Sequence, residues 1–349
     1  AAISTMTQAE QREHDALAQN DSLVRRQYLD DARRLADQAI AQRPDSPAIA
    51  TSTARIHQEY QTATGTMPLT NPIRLVELPT AANQLALQGD QLAALDRATS
   101  AVYLYLLNAD RTAAQSGADP TLLRKGSHVG PATVGTLSQV TWVPATSTRP
   151  AGLLALDQAG FLVEYKPAVG LSYLPLPDPR TWSDVSALTV DGDSLYVLRQ
   201  TSQSLTRYPP QGESFDTPAY SYFAGVSGLD LSDAANFALA GDLFLLHASG
   251  QIQRFTGGQP ADFAVLPSDL APSHPAGLAV GRDSLFVGDP ARARIVQLSR
   301  SGLYQRSLGD DADPTALAAI RDLLVSDDGA YLFVLSGSTV YRFSIPPLQ

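Results

Sequence analysis

Six side chains able to do chemistry recur at one place in a repeating pattern: Asp96, Asp157, Arg199, His247, Asp289 and Ser336. Each follows an apolar run of the Leu-Tyr-Val-Leu kind. A ring of carboxylates could hold a cation, but a calcium-type ion takes about six to eight oxygens, and half of the copies offer no aspartate. An aspartate at the end of such a run more simply accepts the N–H groups of the turn behind it. A second set lies on the segments leading into apolar strands. Asn83, Gln139, Trp182, Asp184, Ser273 and His274 would share one rim. Trp182-Ser-Asp184 places an aromatic face beside a carboxylate, which suits a small polar ligand or a partner's side chain. The competing use of Trp182 is packing between repeats.

Other chemistries lack their residues. With no cysteine there is no thiolate nucleophile, thiolate metal site or disulfide. The five histidines, His14, His57, His128, His247 and His274, show no metal-ligand pairing. No Gly-x-Ser-x-Gly elbow occurs, and Gly257-Gly258 reads as a turn, since no lysine or helix start follows it. Asp310-Asp311-Ala-Asp313 is dense in charge but confined to one loop, where it solvates the surface. A net charge of -10 argues against nucleic acid, because nothing would displace phosphate counterions. No metal and no cofactor is expected.

Two kinds of element must position these residues. The chain has 349 residues, of which 44% are hydrophobic and 17% charged, enough apolar material for a core. Residues 1–65 read as a helical segment. Thr7 and Glu10 fit a capping box. A helix from Ser22 to Gln42 is marked by Leu29, Ala32, Leu35, Ala36, Ala39 and Ile40 on one face. Ser46-Pro47 caps a third helix. The run Ala32 to Ile40, ending at Arg43-Pro44-Asp45, resembles a tetratricopeptide-type helix, but one repeat builds no peptide groove, so a spacer or docking hairpin is favoured.

From about residue 66 to 349 the period changes to strands and tight turns. Anchor leucines fall at 92, 153, 195, 243, 285 and 332, with spacings of 61, 42, 48, 42 and 47. Units of this length with several strands each predict an all-β, six-bladed propeller of four-stranded blades. The long first spacing implies an insertion between Ala109 and Thr136. Leu171–Leu176, Tyr220–Phe223 and Phe263–Leu266 read as outer strands. The last copy has no room for one, and Ile73–Leu78 is an orphan upstream that would complete it and remove an open sheet edge.

The blade motifs resemble those of NHL and related six-bladed propellers, most closely in Leu285-Phe-Val-Gly-Asp289-Pro-Ala-Arg-Ala-Arg294-Ile-Val. The order of the whole chain resembles a narrower group: the extracytoplasmic helical-plus-propeller region of bacterial membrane proteins that carry a PP2C-type phosphatase-like cytoplasmic region. Leu95-Asp96-Arg97, Leu174-Pro-Leu-Pro177-Asp178-Pro, Arg207-Tyr-Pro-Pro210, Arg254-Phe-Thr-Gly-Gly-Gln259-Pro and Tyr331-Leu-Phe-Val-Leu-Ser336-Gly carry that resemblance. It implies an extracytoplasmic location and a membrane tether through a segment outside this chain. No apolar stretch here approaches the roughly 20 residues of a span. The opening Ala-Ala-Ile-Ser, without methionine, reads as a processed product or a piece of a longer protein.

The inner strands read Leu85-Ala-Leu87, Val140-Thr-Trp142, Ala187-Leu-Thr-Val190, Phe237-Ala-Leu239, Gly277-Leu-Ala-Val280 and Leu323-Leu-Val325. They are small and apolar, with few groups for acid–base work. The expectation is therefore a non-catalytic sensor or interaction module, binding another protein or a small polar ligand on its rim. The alternatives are a propeller hydrolase or lyase using the central channel, and a structural subunit of a surface complex.

Overall fold

The helical segment is built by its caps and its alanine face. Three helices, α1 (Ala2–Leu17), α2 (Ser22–Gln42) and α3 (Pro47–Thr64), pack side by side. Asp21 caps α2 by accepting from the Leu23 and Val24 amides, and Ser46 caps α3 at the Ile49 amide. The reading of Thr7 and Glu10 as a capping box is corrected. The helix begins five residues earlier, at Ala2, so Thr7 lies inside it and donates to the Ile3 carbonyl. Glu10 instead accepts from Ser52 of α3. Ala9, Ala32, Ala36 and Ala39 are fully buried with Met6, Ile49 and Ile56. Small side chains let the helices approach closely. None of the helices among the described residues is long and apolar enough to cross a membrane.

The computed structural model describes residues 1–69, 72–115, 119–147, 149–177, 182–309 and 315–348. The acidic run at 310–313 lies outside these, as does residue 178 of the Pro177-Asp178 motif. After the helices come six antiparallel blades. From inner to outer strand, blade 1 is Gln84–Gln88, Gln91–Asp96, Ala101–Leu106 and Thr121–Arg124. Blade 2 is Leu137–Val143, Gly152–Asp157, Leu162–Lys166 and Gly170–Leu174. Blade 3 is Val185–Asp191, Ser194–Arg199, Ser204–Tyr208 and Tyr220–Ser221. Blade 4 is Ala234–Ala240, Asp242–His247, Ile252–Thr256 and Gln259–Ala261. Blade 5 is Ala276–Val280, Ser284–Asp289, Arg294–Ser299 and Tyr304–Gly309. Blade 6 takes Ile320–Val325, Tyr331–Ser336 and Thr339–Ser344 from the end of the chain and Ile73–Glu77 from its beginning.

The ring closes as the orphan strand required, with Ile73 opposite Arg342 and Glu77 opposite Thr339. Leu75 and Val76 are buried there, and Glu77 accepts from the Ser338 and Thr339 hydroxyls. Two details differ from the sequence reading. Blade 4 takes Gln259–Ala261 as its outer strand rather than Phe263–Leu266, because Gly257 and Gly258 both adopt positive φ and turn the chain straight back. Blade 5 gains a fifth, parallel strand, Thr66–Pro68, outside Tyr304–Gly309. That strand and two polar contacts, Tyr304 to the Thr64 carbonyl and Arg26 to Asp269, hold the helices to blade 5. The insertion in the first repeat supplies a small hairpin, His128–Val129 with Ala132–Thr133.

The closure can be tested by truncation. Removing residues 1–65 leaves the strand that completes blade 6, whereas removing 1–80 strips that blade's outer edge and uncovers Leu75 and Val76's partners. The longer truncation is expected to melt at least about 5 °C below the shorter. Equal melting temperatures by differential scanning calorimetry would sink the closure argument.

Candidate active site

Every inner strand is the terminal strand of its sheet, so one of its edges has no strand beside it. Those six edges enclose a channel cavity of about 360 Å³. Their free main-chain groups need partners, and at one mouth side chains from the adjoining blade supply them. Gln84 donates to the Val140 carbonyl at 3.0 Å and accepts from the Val140 amide at 3.2 Å, replacing a strand. Gln139 donates to the Ser186 carbonyl at 2.7 Å, and Gln200 to the Ala234 carbonyl at 2.6 Å. Arg97 Nε donates to the Ser138 carbonyl at 2.8 Å.

Blade 6 uses a carboxylate for the same task. Asp322 Oδ2 accepts from the Leu85 amide of blade 1 at 2.7 Å, and Oδ1 from its neighbour Leu323 at 2.9 Å. The register explains Gln84, Gln139 and Asp322. Gln84, Gln139, Ala187, Asn236 and Asp322 lie opposite Leu95, Leu156, Leu198, Leu246 and Leu335, equivalent positions in successive blades. Gly277, beside this position in blade 5, makes room. A Cβ there would fall 3.0 Å from Asp322 Oδ1 and 2.9 Å from the Leu323 nitrogen, and its φ of 77° favours glycine.

Asp322 is the one ionisable side chain among the described residues lining the channel. Burial pushes its carboxyl up to about 6, against the two amide bonds and the positive charge of Arg97, which favour the anion. Burial also pulls Arg97 below the usual guanidinium range, with Asp322 opposing. Asp96 shows the contrast. Burial opposes its ionisation too, but Thr80, Thr99 and the Ala98 amide all donate to it and hold it below the usual range.

The six sequence candidates on the rim do not converge on this carboxylate. Asn83 accepts from the Arg97 amide at 2.9 Å and so orders the turn that carries Arg97. Gln139 is buried as an inter-blade clamp. Trp182 is fully buried, packs against Tyr208 between blades 2 and 3, and donates to the Pro177 carbonyl. Asp184 lies 3.5 Å from Arg199 and accepts from Ser202. Ser273 donates to Asp289 at 3.5 Å, and His274 is exposed beside it. Of the strand-end ring, Asp96 and Asp157 serve their turns, while Asp289 pairs with Arg292 and Arg294. Among the described residues no three His, Asp or Glu side chains gather as a metal would need. A larger groove of about 610 Å³ follows the outer strands of blade 4 past Ile252, Phe255 and Phe263. Its charged side chain, Arg254, is paired with Asp242.

Sequence reading passed over Asp322 by one residue, starting the inner strand at Leu323. Its signal is the polar residue that faces the second strand's last leucine in blades 1, 2, 4 and 6: Gln84, Gln139, Asn236 and Asp322.

No protein-family model matches the chain, and no curated protein matches its sequence. Solved structures do match in shape. A gluconolactonase of Xanthomonas campestris aligns with a TM-score of 0.53 at 15% identity, over 79% of this chain and 89% of that one. Regucalcin of Agrobacterium tumefaciens, described as a calcium-binding protein, aligns at 0.50 and 10%, over 80% and 95%. A streptogramin B lyase aligns at 0.48 and 10%, over 79% and 97%. The chain is a six-bladed β-propeller. The expectation of a non-catalytic sensor or interaction module, without enzyme activity, is corrected here. It rested on inner strands with few acid–base groups, and the channel they enclose holds Asp322; the propellers of this shape also include a gluconolactonase.

The raised pKa has a consequence for stability. An unfolded aspartate titrates near 3.8 and folded Asp322 near 6. Between those values the folded state holds the extra proton, so this residue's contribution to stability is present below about pH 4 and falls as pH rises to about 6. The slope approaches about 1.4 kcal/mol per pH unit. Urea unfolding of the wild type and Asp322→Asn should differ by an amount that changes across this window. A constant difference from pH 4 to 7 would remove the assignment.

Proposed function

We propose that the protein is a propeller enzyme of the hydrolase or lyase class, working at one mouth of its central channel with Asp322 as general acid–base. The observation that carries this reading is the carboxylate itself: buried in the channel, fixed by amides of two adjoining blades, and titrating where it can both take and give a proton near neutrality. Each oxygen accepts only one main-chain bond, so lone pairs remain for a water or a substrate proton. The gluconolactonase neighbour supports the class and carries no residue over to this chain.

The rim residues Asp184, Ser273 and His274 then belong to loops around the mouth, where a polar substrate or a partner protein would touch them. For context we keep the division into a helical segment at 1–65 and a propeller at 66–349. We also keep an extracytoplasmic, membrane-tethered placement akin to the PP2C-linked proteins. The order of the motifs supports that placement, and the neighbouring sequence of the full gene product tests it.

The catalytic reading is tested with a panel of esters and lactones, together with a screen for elimination products. Turnover should follow an ionisation near pH 6, and Asp322→Asn should lower kcat by about 10²–10⁴-fold with the fold intact by circular dichroism. An active Asp322→Asn variant, or no turnover across the panel, would defeat it.

A further inference from the structure

Arg97 belongs to blade 1 but reaches over to blade 2. Its main-chain amide donates to Asn83 Oδ1, and its Nε donates to the Ser138 carbonyl of blade 2. These two anchors fix the base and the neck of the side chain. Neither Nη atom has a hydrogen-bond partner among the described residues. The guanidinium fork is thus left free, within electrostatic reach of Asp322. A fork of this kind fits the two oxygens of a carboxylate better than a point charge does.

We infer that Arg97 is an anion clamp at the channel mouth, and that the molecule processed there is a small carboxylate whose other end faces Asp322. This rests on the acid–base reading of Asp322 for what happens next, but the clamp itself does not need turnover. The surroundings agree with a single bound carboxylate. Asp322 is the one acid among the described channel-lining residues, and Arg97 lies outside that lining. The remaining wall offers amides, hydroxyls and strand edges, including Gln84, Thr141, Thr189 and Asn236, which suit a hydroxylated or carbonyl-bearing body. Asp322 would repel the ligand when ionised, so binding should tighten as pH falls from 7.5 to 5.5, where Asp322 gains its proton and a simple carboxylic acid keeps its charge.

Ligand-detected NMR on the full chain with propanoate, and with propanamide as the uncharged match, tests the clamp. Propanoate should bind and propanamide should not. Arg97→Gln should weaken propanoate at least tenfold. Arg97→Lys should lie between, keeping the charge and losing the fork. Asp322→Asn should bind propanoate more tightly at pH 7.5 and lose the pH dependence. Equal binding of the amide, no binding by the wild type, or unchanged affinity in Arg97→Gln would overturn the clamp. Propanoate binding without turnover of any ester or lactone would leave the clamp standing and remove the catalytic reading. Turnover with an unchanged KM in Arg97→Gln would do the reverse.

Discussion

Six strands that each lack one neighbour set the terms for this molecule. A sheet edge inside a protein cannot be left to chance, because every second residue aims an amide and a carbonyl at the axis. Water in the channel can serve some of these groups. At one mouth the protein serves them itself, with side chains that reach from blade to blade: Gln84 to Val140, Gln139 to Ser186, Gln200 to Ala234 and Asp322 to Leu85. The blades are joined by these bonds as well as by the apolar seams between them. The position opposite the recurring leucine is thus a structural joint in blades 1, 2 and 6. It becomes a chemical group in the one blade where the joint is a carboxylic acid.

That dual role explains how much was legible. The repeat of leucines set the blades, and the shortage of chain after Phe343 assigned Ile73–Leu78 to the ring, because length and periodicity are properties of the chain itself. Asp322 was not legible in that way. Its importance depends on register: one residue earlier or later and the side chain would leave the mouth. It also depends on Gly277 of another blade, which lies 45 residues away in sequence and admits it only in three dimensions. Trp182 failed as a rim residue for a related reason. An aromatic beside an acid looks like a binding pair in sequence, whereas here the ring fills the seam between blades 2 and 3 and Asp184 is left half-buried outside it. Phe263–Leu266 read as a strand by composition, but the two glycines before it had already turned the chain back at Gln259.

Asp322 and Asp96 show why the type of residue alone does not decide function. Both are aspartates near the same end of their blades, and both are removed from water. Asp96 is surrounded by donors: the Thr80 and Thr99 hydroxyls and the Ala98 and Thr99 amides. Four donors outweigh desolvation and lock it as an anion. Asp322 receives two amides and the distant charge of Arg97, and desolvation wins. The number of donors, set by the local turn, thus separates an acid that holds a hairpin from one that can exchange a proton.

The same balance makes Arg97 and Asp322 a coupled pair rather than an ion pair. No contact between them closes a salt bridge, so neither charge is cancelled, and each moves the other's titration across the mouth. A closed bridge would have consumed the guanidinium fork and fixed the carboxylate as an anion. Separation keeps the fork free and leaves the acid near its midpoint. A ligand that neutralises Arg97 therefore removes the field that favours the Asp322 anion, and the carboxyl moves further up. Binding at the mouth would then prepare the protonated, proton-donating form of the acid, a coupling that follows from two groups left apart on adjoining blades.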